Sequence, residues 1–130
     1  MAKRKETSTN HMNREYINDE CGIAYAIDIM AGRWKLKILY KLEKKTMRFR
    51  ELKERIPNIT DRMLTLHLQE LEADGLISRT VYAEVPPRVE YQLTESALLL
   101  IPVWDQMNEW GHQHREKQRQ SVDLAVKPAS

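Results

Sequence analysis

"VYAEVPPRVEY", residues 81–91, reads as β-strand at both ends and as something else in the middle. Val81 and Val89 to Tyr91 alternate with polar neighbours, which is the two-residue period of a half-covered strand. Pro86 and Pro87 interrupt it. Proline has no N–H to give a β-ladder, so the pair must lie beyond the last cross-strand bond and mark a stiffened hairpin tip. The flanking strings "LISRTVYA" and "RVEYQLT" supply the two strands, with Ile77, Val81, Val89, Tyr91 and Leu93 expected to face inward. Arg88, at the edge of the tip, is placed to approach a phosphate or a minor groove, although a plain surface loop also explains a charged neighbour.

What precedes the hairpin decides its meaning. "RFRELKERI" (48–56) has Phe49, Leu52 and Ile56 at helical spacing and stops at Pro57, which disfavours helical geometry in the residue before it. After "PNI" a second helix begins, with Thr60 as N-cap and Asp61 at the positive end of the dipole. Leu64, Leu68 and Leu71 form its apolar stripe, and Gly75 ends it. Two short helices joined by a tight turn and followed by a hairpin predict a winged helix-turn-helix. The expected class is mainly α with a small β-hairpin.

The rest of the chain frames that unit. "YAIDIMAG" (25–32) predicts a short helix ending at Gly32, with Ile23, Ile27 and Met30 on one side. "RWKLKILYKLEKK" (33–45) predicts another, with Trp34, Ile38 and Leu42 inward and Lys35, Lys37, Lys41 and Lys44 in water. In "TESALLLIPVWDQMNEWGHQH" (94–114), Thr94 caps a helix that Pro102 must kink or restart. Val103, Met107 and Trp110 share one stripe of it, with Leu100 and Trp104 on another. So apolar a terminal helix needs more cover than one small core supplies, and homodimerisation is the expected answer. The predicted organisation is a loose tail at 1–15, a winged domain with its dimerisation helices at 16–114, and a second tail at 115–130.

Charge points to the partner. The net charge of the 130 residues is +2. From Arg33 to Arg62, 11 Lys and Arg face 4 Asp and Glu, whereas from Met63 to Glu95 the count is 2 against 6. A basic segment that also carries helix patterning fits a polyanion such as double-stranded DNA, although a solvated face explains most single basic helices. There is no apolar run of transmembrane length and no secretory-type leader, so the reading is cytoplasmic and excludes a membrane partner. Cys21 is the only cysteine, which rules out an intrachain disulfide. No nucleophile–base pair, phosphate loop or metal set is visible, and His112 and His114 lack further ligands, so neither an enzyme nor a cofactor is expected.

On the helix predicted for 60–75, Arg62, Met63, Leu66 and Glu70 fall opposite the leucine stripe, with Thr65 and Gln69 on a flank. The N-terminal half of such a helix enters the major groove. Arg62 suits guanine, Gln69 adenine, and Thr65 a base or a phosphate; Leu66 suits thymine methyls or is a chance surface leucine. Thr60 belongs to the same end. Lys35, Arg48, Arg50 and Lys53 are candidate phosphate contacts.

"CGIAYAIDIMAGRWKLKIL", "MRFRELKERIPNITDRMLTLHLQELEADGLISR" and "VYAEVPPRVEYQLT" together resemble, in order, the motifs of the HxlR-type family of bacterial transcription regulators, from Cys21 to about Gly111. The most specific parts are the RFxEL string, the LxxDGLIxR ending and PPRVEYxLT. Gly22, where a proline is common, and "ESALLL", where a glycine is often found, depart from the pattern only at helix starts. The resemblance implies a winged helix-turn-helix, a homodimer built from the terminal helices, and operator binding that usually represses nearby genes. It also implies that a cysteine at the place of Cys21 acts, in a subset of members, as a switch for oxidants or electrophiles. The alternatives are a small-molecule-responsive or constitutive regulator with a structural Cys21, and a winged-helix protein-interaction module.

Overall fold

The computed structural model describes residues 21–126. The tail expected at 1–15, the start of the expected domain at 16–20 and the last four residues lie outside the described range. The described elements are α1 (Gly22–Met30), α2 (Lys35–Leu42), α3 (Phe49–Arg55), α4 (Asp61–Ala73), β1 (Ile77–Tyr82), β2 (Arg88–Leu93), α5 (Glu95–Leu98) and α6 (Ile101–Val126). This is the mainly α architecture with one antiparallel hairpin that the sequence predicts. No helix among the described residues is long and apolar enough to cross a membrane.

The core is built where apolar periodicity from several helices converges. Trp34, Ile38, Leu39 and Leu42 of the α2 segment meet Leu52 and Ile56 from α3, the three leucines of α4, and Ile77 and Leu93 from the hairpin. Charged side chains are absent from the buried set of described residues, as expected for groups whose desolvation is costly.

Local chemistry sets the boundaries. Glu51 accepts a hydrogen bond from the Arg48 N–H at 3.1 Å and so closes the first turn of α3. Ile56 is extended ahead of Pro57, and Asn58 adopts a positive φ of 72°, a conformation that its short polar side chain tolerates. The Thr60 hydroxyl accepts from the Met63 N–H at 3.1 Å, which starts α4 where the sequence places it. Gly75, at φ 77°, turns the chain out of α4 into β1.

The hairpin register pairs Ile77 with Leu93, Arg79 with Tyr91, Val81 with Val89 and Tyr82 with Arg88, leaving residues 83–87 as the tip. The two prolines thus lie past the last rung. Met47 adds a short bridge outside β2, exchanging backbone hydrogen bonds with Tyr91 at 3.0 and 2.8 Å. Val81 departs from expectation: it stands on the inward register but is 53% exposed, because the hairpin projects past the helices that would cover it.

Two further expectations are corrected. Helix α1 begins at Gly22 and ends at Met30, with Gly32 (φ 102°) making the turn two residues later. Its Ile23 and Ile27 remain exposed within the chain. Residues 116–126, expected as part of a tail, continue α6 as far as Val126. Gln, Lys, Arg and Glu are good helix formers, so this polar stretch propagates a helix that needs no apolar stripe of its own. Pro102 restarts the chain as α6, standing in the first turn where a missing N–H costs nothing.

Candidate nucleic-acid interface

Helix α4 presents one face to the core and the other to water. Leu64, Leu68 and Leu71 are buried, while Arg62, Met63, Thr65, Leu66 and Gln69 are exposed on the outer side. Thr60 is exposed, but its hydroxyl oxygen is already engaged in the cap. Lys53, a candidate phosphate contact, pairs with Asp61 at 3.1 Å and so links α3 to the first turn of α4. Arg48 and Arg50 are exposed and make no ion pair among the described residues. Arg62, Thr65 and Gln69 can therefore present donors and acceptors to base edges. The neighbouring guanidinium groups can neutralise phosphates, which fix register without reading sequence.

Three residues occupy other positions than the sequence suggests. Lys35 does not stay in water: its side chain is 12% exposed and its ammonium lies 2.9 Å from Glu70 Oε1. That pair fastens α2 to α4, so Lys35, a candidate phosphate contact, is engaged as a brace between helices. Glu70 correspondingly turns from the outer face toward α2, and the half-buried His67 lies 3.6 Å from the same carboxylate oxygen. Burial opposes ionisation of Glu70, but the Lys35 hydrogen bond and charge outweigh it and hold the carboxyl below its ordinary value. Glu51 is likewise lowered, first by the Arg48 N–H and then by Lys45.

Arg88 is the third. Its guanidinium lies 3.3 Å from Glu84, 3.5 Å from Glu90 and 3.9 Å from the centre of the Tyr82 ring. Glu84 and Arg88 thus clasp the tip across Pro86 and Pro87, and Val85 stands fully exposed between them. The residue expected to reach a phosphate is occupied in shaping the wing.

Sequence reasoning passed over Arg79. It is exposed on β1 and lines a cleft of about 330 Å³ with Thr65, Gln69, Glu72 and Tyr91, over Leu68. A signal was present, since an arginine occupies the register between Ile77 and Val81 on an otherwise apolar strand face.

The terminal helices divide in two. Val103, Met107 and Trp110 are exposed on one stripe of α6, as are Ile23 and Ile27 on α1. Trp104, expected at a dimer contact, is instead 3% exposed and donates its indole N–H to Glu43 at 2.7 Å. Leu100 packs half-buried against the same core. Trp104 belongs to the interior of the chain, whereas Leu100 keeps part of its side chain exposed. His114 stacks on Trp110 at 4.7 Å, and His112 contacts Arg115 at 2.9 Å. Among the described residues no group of His, Cys, Asp and Glu could hold a metal. Cys21 is exposed at the N-cap of α1, makes no side-chain capping bond, and its carbonyl accepts from the Tyr25 N–H at 3.1 Å.

Comparison with known proteins places this arrangement. Residues 29–119 match the family described as HxlR-like helix-turn-helix. An uncharacterised HTH-type transcriptional regulator of Methanothermobacter thermautotrophicus is 47% identical over 105 residues, covering 81% of this chain and 80% of that one. The solved redox regulator HypR in its reduced form superposes with a TM-score of 0.73 at 43% identity, over 77% of this chain and 99% of that one. Its oxidised form gives a TM-score of 0.68. Reduced YodB of Bacillus subtilis gives 0.63 at 36% identity, over 68% of this chain and 87% of that one, and YodB has also been solved after diamide treatment. A helix-turn-helix braced by Lys53–Asp61, a clasped wing and these matches have one reading: the chain belongs to the HxlR-like helix-turn-helix family of DNA-binding transcription regulators.

Proposed function

We propose that the protein is a homodimeric regulator, acting as a repressor, that binds a two-fold-related operator through the outer face of α4. The observation that carries this reading is the exposed set Arg62, Thr65, Leu66 and Gln69 on a helix whose other face is fully buried. Dimerisation is supported by the two uncovered stripes, Ile23 and Ile27 on α1 and Val103, Met107 and Trp110 on α6. A two-fold interface buries the same patch on both copies and sets half-sites about one helical turn apart.

The test separates reading from anchoring. Arg62→Ala is expected to cost about 1–3 kcal/mol and to relax preference at particular base pairs of the gene's own promoter. Arg50→Ala should weaken all sequences alike and make the salt slope about one unit shallower. Footprinting and a salt titration measure both. If the two variants behave identically, the assignment of the outer face of α4 is wrong.

The proposal extends to the signal, an oxidant or electrophile acting at Cys21. It is supported by the exposed thiol at the start of α1 and by the likeness to HypR and YodB. With no second cysteine, the chemistry available is an intersubunit disulfide, a mixed disulfide or alkylation. A modification there would displace α1 and with it the spacing of two recognition helices. Losing one half-site forfeits most of the affinity. Promoter binding with and without diamide is expected to fall for the wild type and to stay constant for Cys21→Ser. Equal binding in all four conditions would reduce Cys21 to a structural residue.

A further inference from the structure

We propose that the wing meets the DNA backbone through Arg79 at the base of the hairpin, and that Arg88 at the tip serves only to shape it. The assignment rests on the DNA-binding reading above and adds to it the residue that anchors the wing.

The hairpin register places Ile77, Arg79 and Val81 on one face of β1, opposite Leu93, Tyr91 and Val89. Along that face burial is lost from base to tip: Ile77 is in the core, whereas Val81 is more than half exposed. Arg79 therefore stands where the core ends and solvent begins. Its cleft neighbours Thr65 and Gln69 are the flank of α4 that faces the proposed groove, so a duplex seated on α4 brings its backbone past the mouth of this cleft.

The two wing arginines differ in what they would have to give up. Arg88 lies against Glu84, Glu90 and the Tyr82 ring, and a phosphate would have to compete with the two carboxylates already beside it. Arg79 is exposed and makes no ion pair among the described residues. Glu72 lines the same cleft without pairing to it. A guanidinium offers a planar fork that fits two oxygens of one phosphodiester, and neutralising that charge releases a condensed counterion. Arg79 can do this with no internal bond broken.

The experiment uses the full chain with two fluorescein-labelled duplexes of equal length, the gene's own upstream region and a scrambled sequence. Affinity is titrated against salt for the wild type, Arg79→Ala, Arg79→Lys, Arg88→Ala and Glu72→Gln, with a thermal melt of each. Arg79→Ala is expected to bind both duplexes several-fold more weakly, with a salt slope shallower by about 0.9, the value for one phosphate contact on B-DNA. Arg79→Lys should restore the slope, because a point charge suffices for counterion release. Arg88→Ala should keep the slope while its melting temperature falls. The assignment is overturned if Arg79→Ala keeps the wild-type slope, or if Arg88→Ala is the variant that loses it. A melting loss shared by Arg79→Ala and Glu72→Gln, with slopes unchanged, would instead make Arg79 a structural partner of Glu72. A wild type that binds neither duplex removes the DNA reading and this assignment together, whereas a changed Arg88 slope removes this assignment alone.

Discussion

Helix α4 buries Leu64, Leu68 and Leu71 almost completely, whereas α1 leaves Ile23 72% and Ile27 60% exposed. Both stripes have the same helical spacing. For α4 the cover comes from within the chain, since α2, α3 and the hairpin all converge on it. On α1 only Met30, at the end of the stripe, packs against that core. Ile23 and Ile27, like the Val103, Met107 and Trp110 stripe of α6, stay about half or more exposed. Apolar periodicity states that a face is to be covered; it carries no information on which molecule does the covering.

The contrast can be broken at its strongest point first. Leu68→Ala is expected to destabilise the fold by about 2–5 kcal/mol, because it removes a side chain only 2% exposed from the core beneath the cleft. Urea denaturation should show this loss at every protein concentration. A cost below about 1 kcal/mol would mean that α4 is no better covered than α1.

A smaller effect of a different kind is expected on the open face. Trp110→Ala should weaken self-association by about 2 kcal/mol or more, roughly thirtyfold, as for a central aromatic contact. Sedimentation at several concentrations measures it. Its melting temperature, extrapolated to the dilute monomer, should match that of the wild type. If Trp110→Ala leaves association unchanged, the uncovered stripe has some other occupant.

The smallest effect sharpens how α4 is held. Glu70 titrates below its usual value in the folded chain because Lys35 outweighs the cost of its burial. The stabilisation is therefore complete above the unfolded pKa and is lost as pH falls through the folded one. With Glu70 partly exposed and screened, the amount is at most about 1 kcal/mol. Stability measured from pH 6 to pH 3 should drop further in the wild type than in Glu70→Gln by that amount. Parallel curves would leave the Lys35 brace without energetic weight.

Features set by near neighbours were legible in the sequence. The Thr60 cap, the leucine stripe, the Gly75 turn and the proline tip each depend on residues a few positions apart, where local sterics and hydrogen bonding dominate. What was missed depends on distance in the fold. Lys35 and Glu70 are far apart in sequence, and nothing in either helix alone says that they meet. Trp104 sits on an apolar face like its neighbours, yet only the placement of Glu43 makes it an interior residue. Arg88 is the exception, since Tyr82, Glu84 and Glu90 are all within six residues of it; the hairpin register that pairs Tyr82 with Arg88 is what gathers them. The extension of α6 was missed for a local reason: a polar sequence rich in helix formers looks like a tail when apolar periodicity is the signal sought.

The distribution of the three tryptophans gives the molecule an optical gauge. Trp34 and Trp104 lie in the core, at 8% and 3% exposure, while Trp110 is 64% exposed. Iodide, which cannot enter a packed interior, would quench the emission of Trp110 and spare the other two. The quenchable fraction of native fluorescence then reports whether the α6 stripe faces solvent or another surface, in dilute solution and without any label. Loss of that fraction on concentrating the protein would register covering of the stripe, and its return on adding diamide would register opening, independently of whether DNA is present.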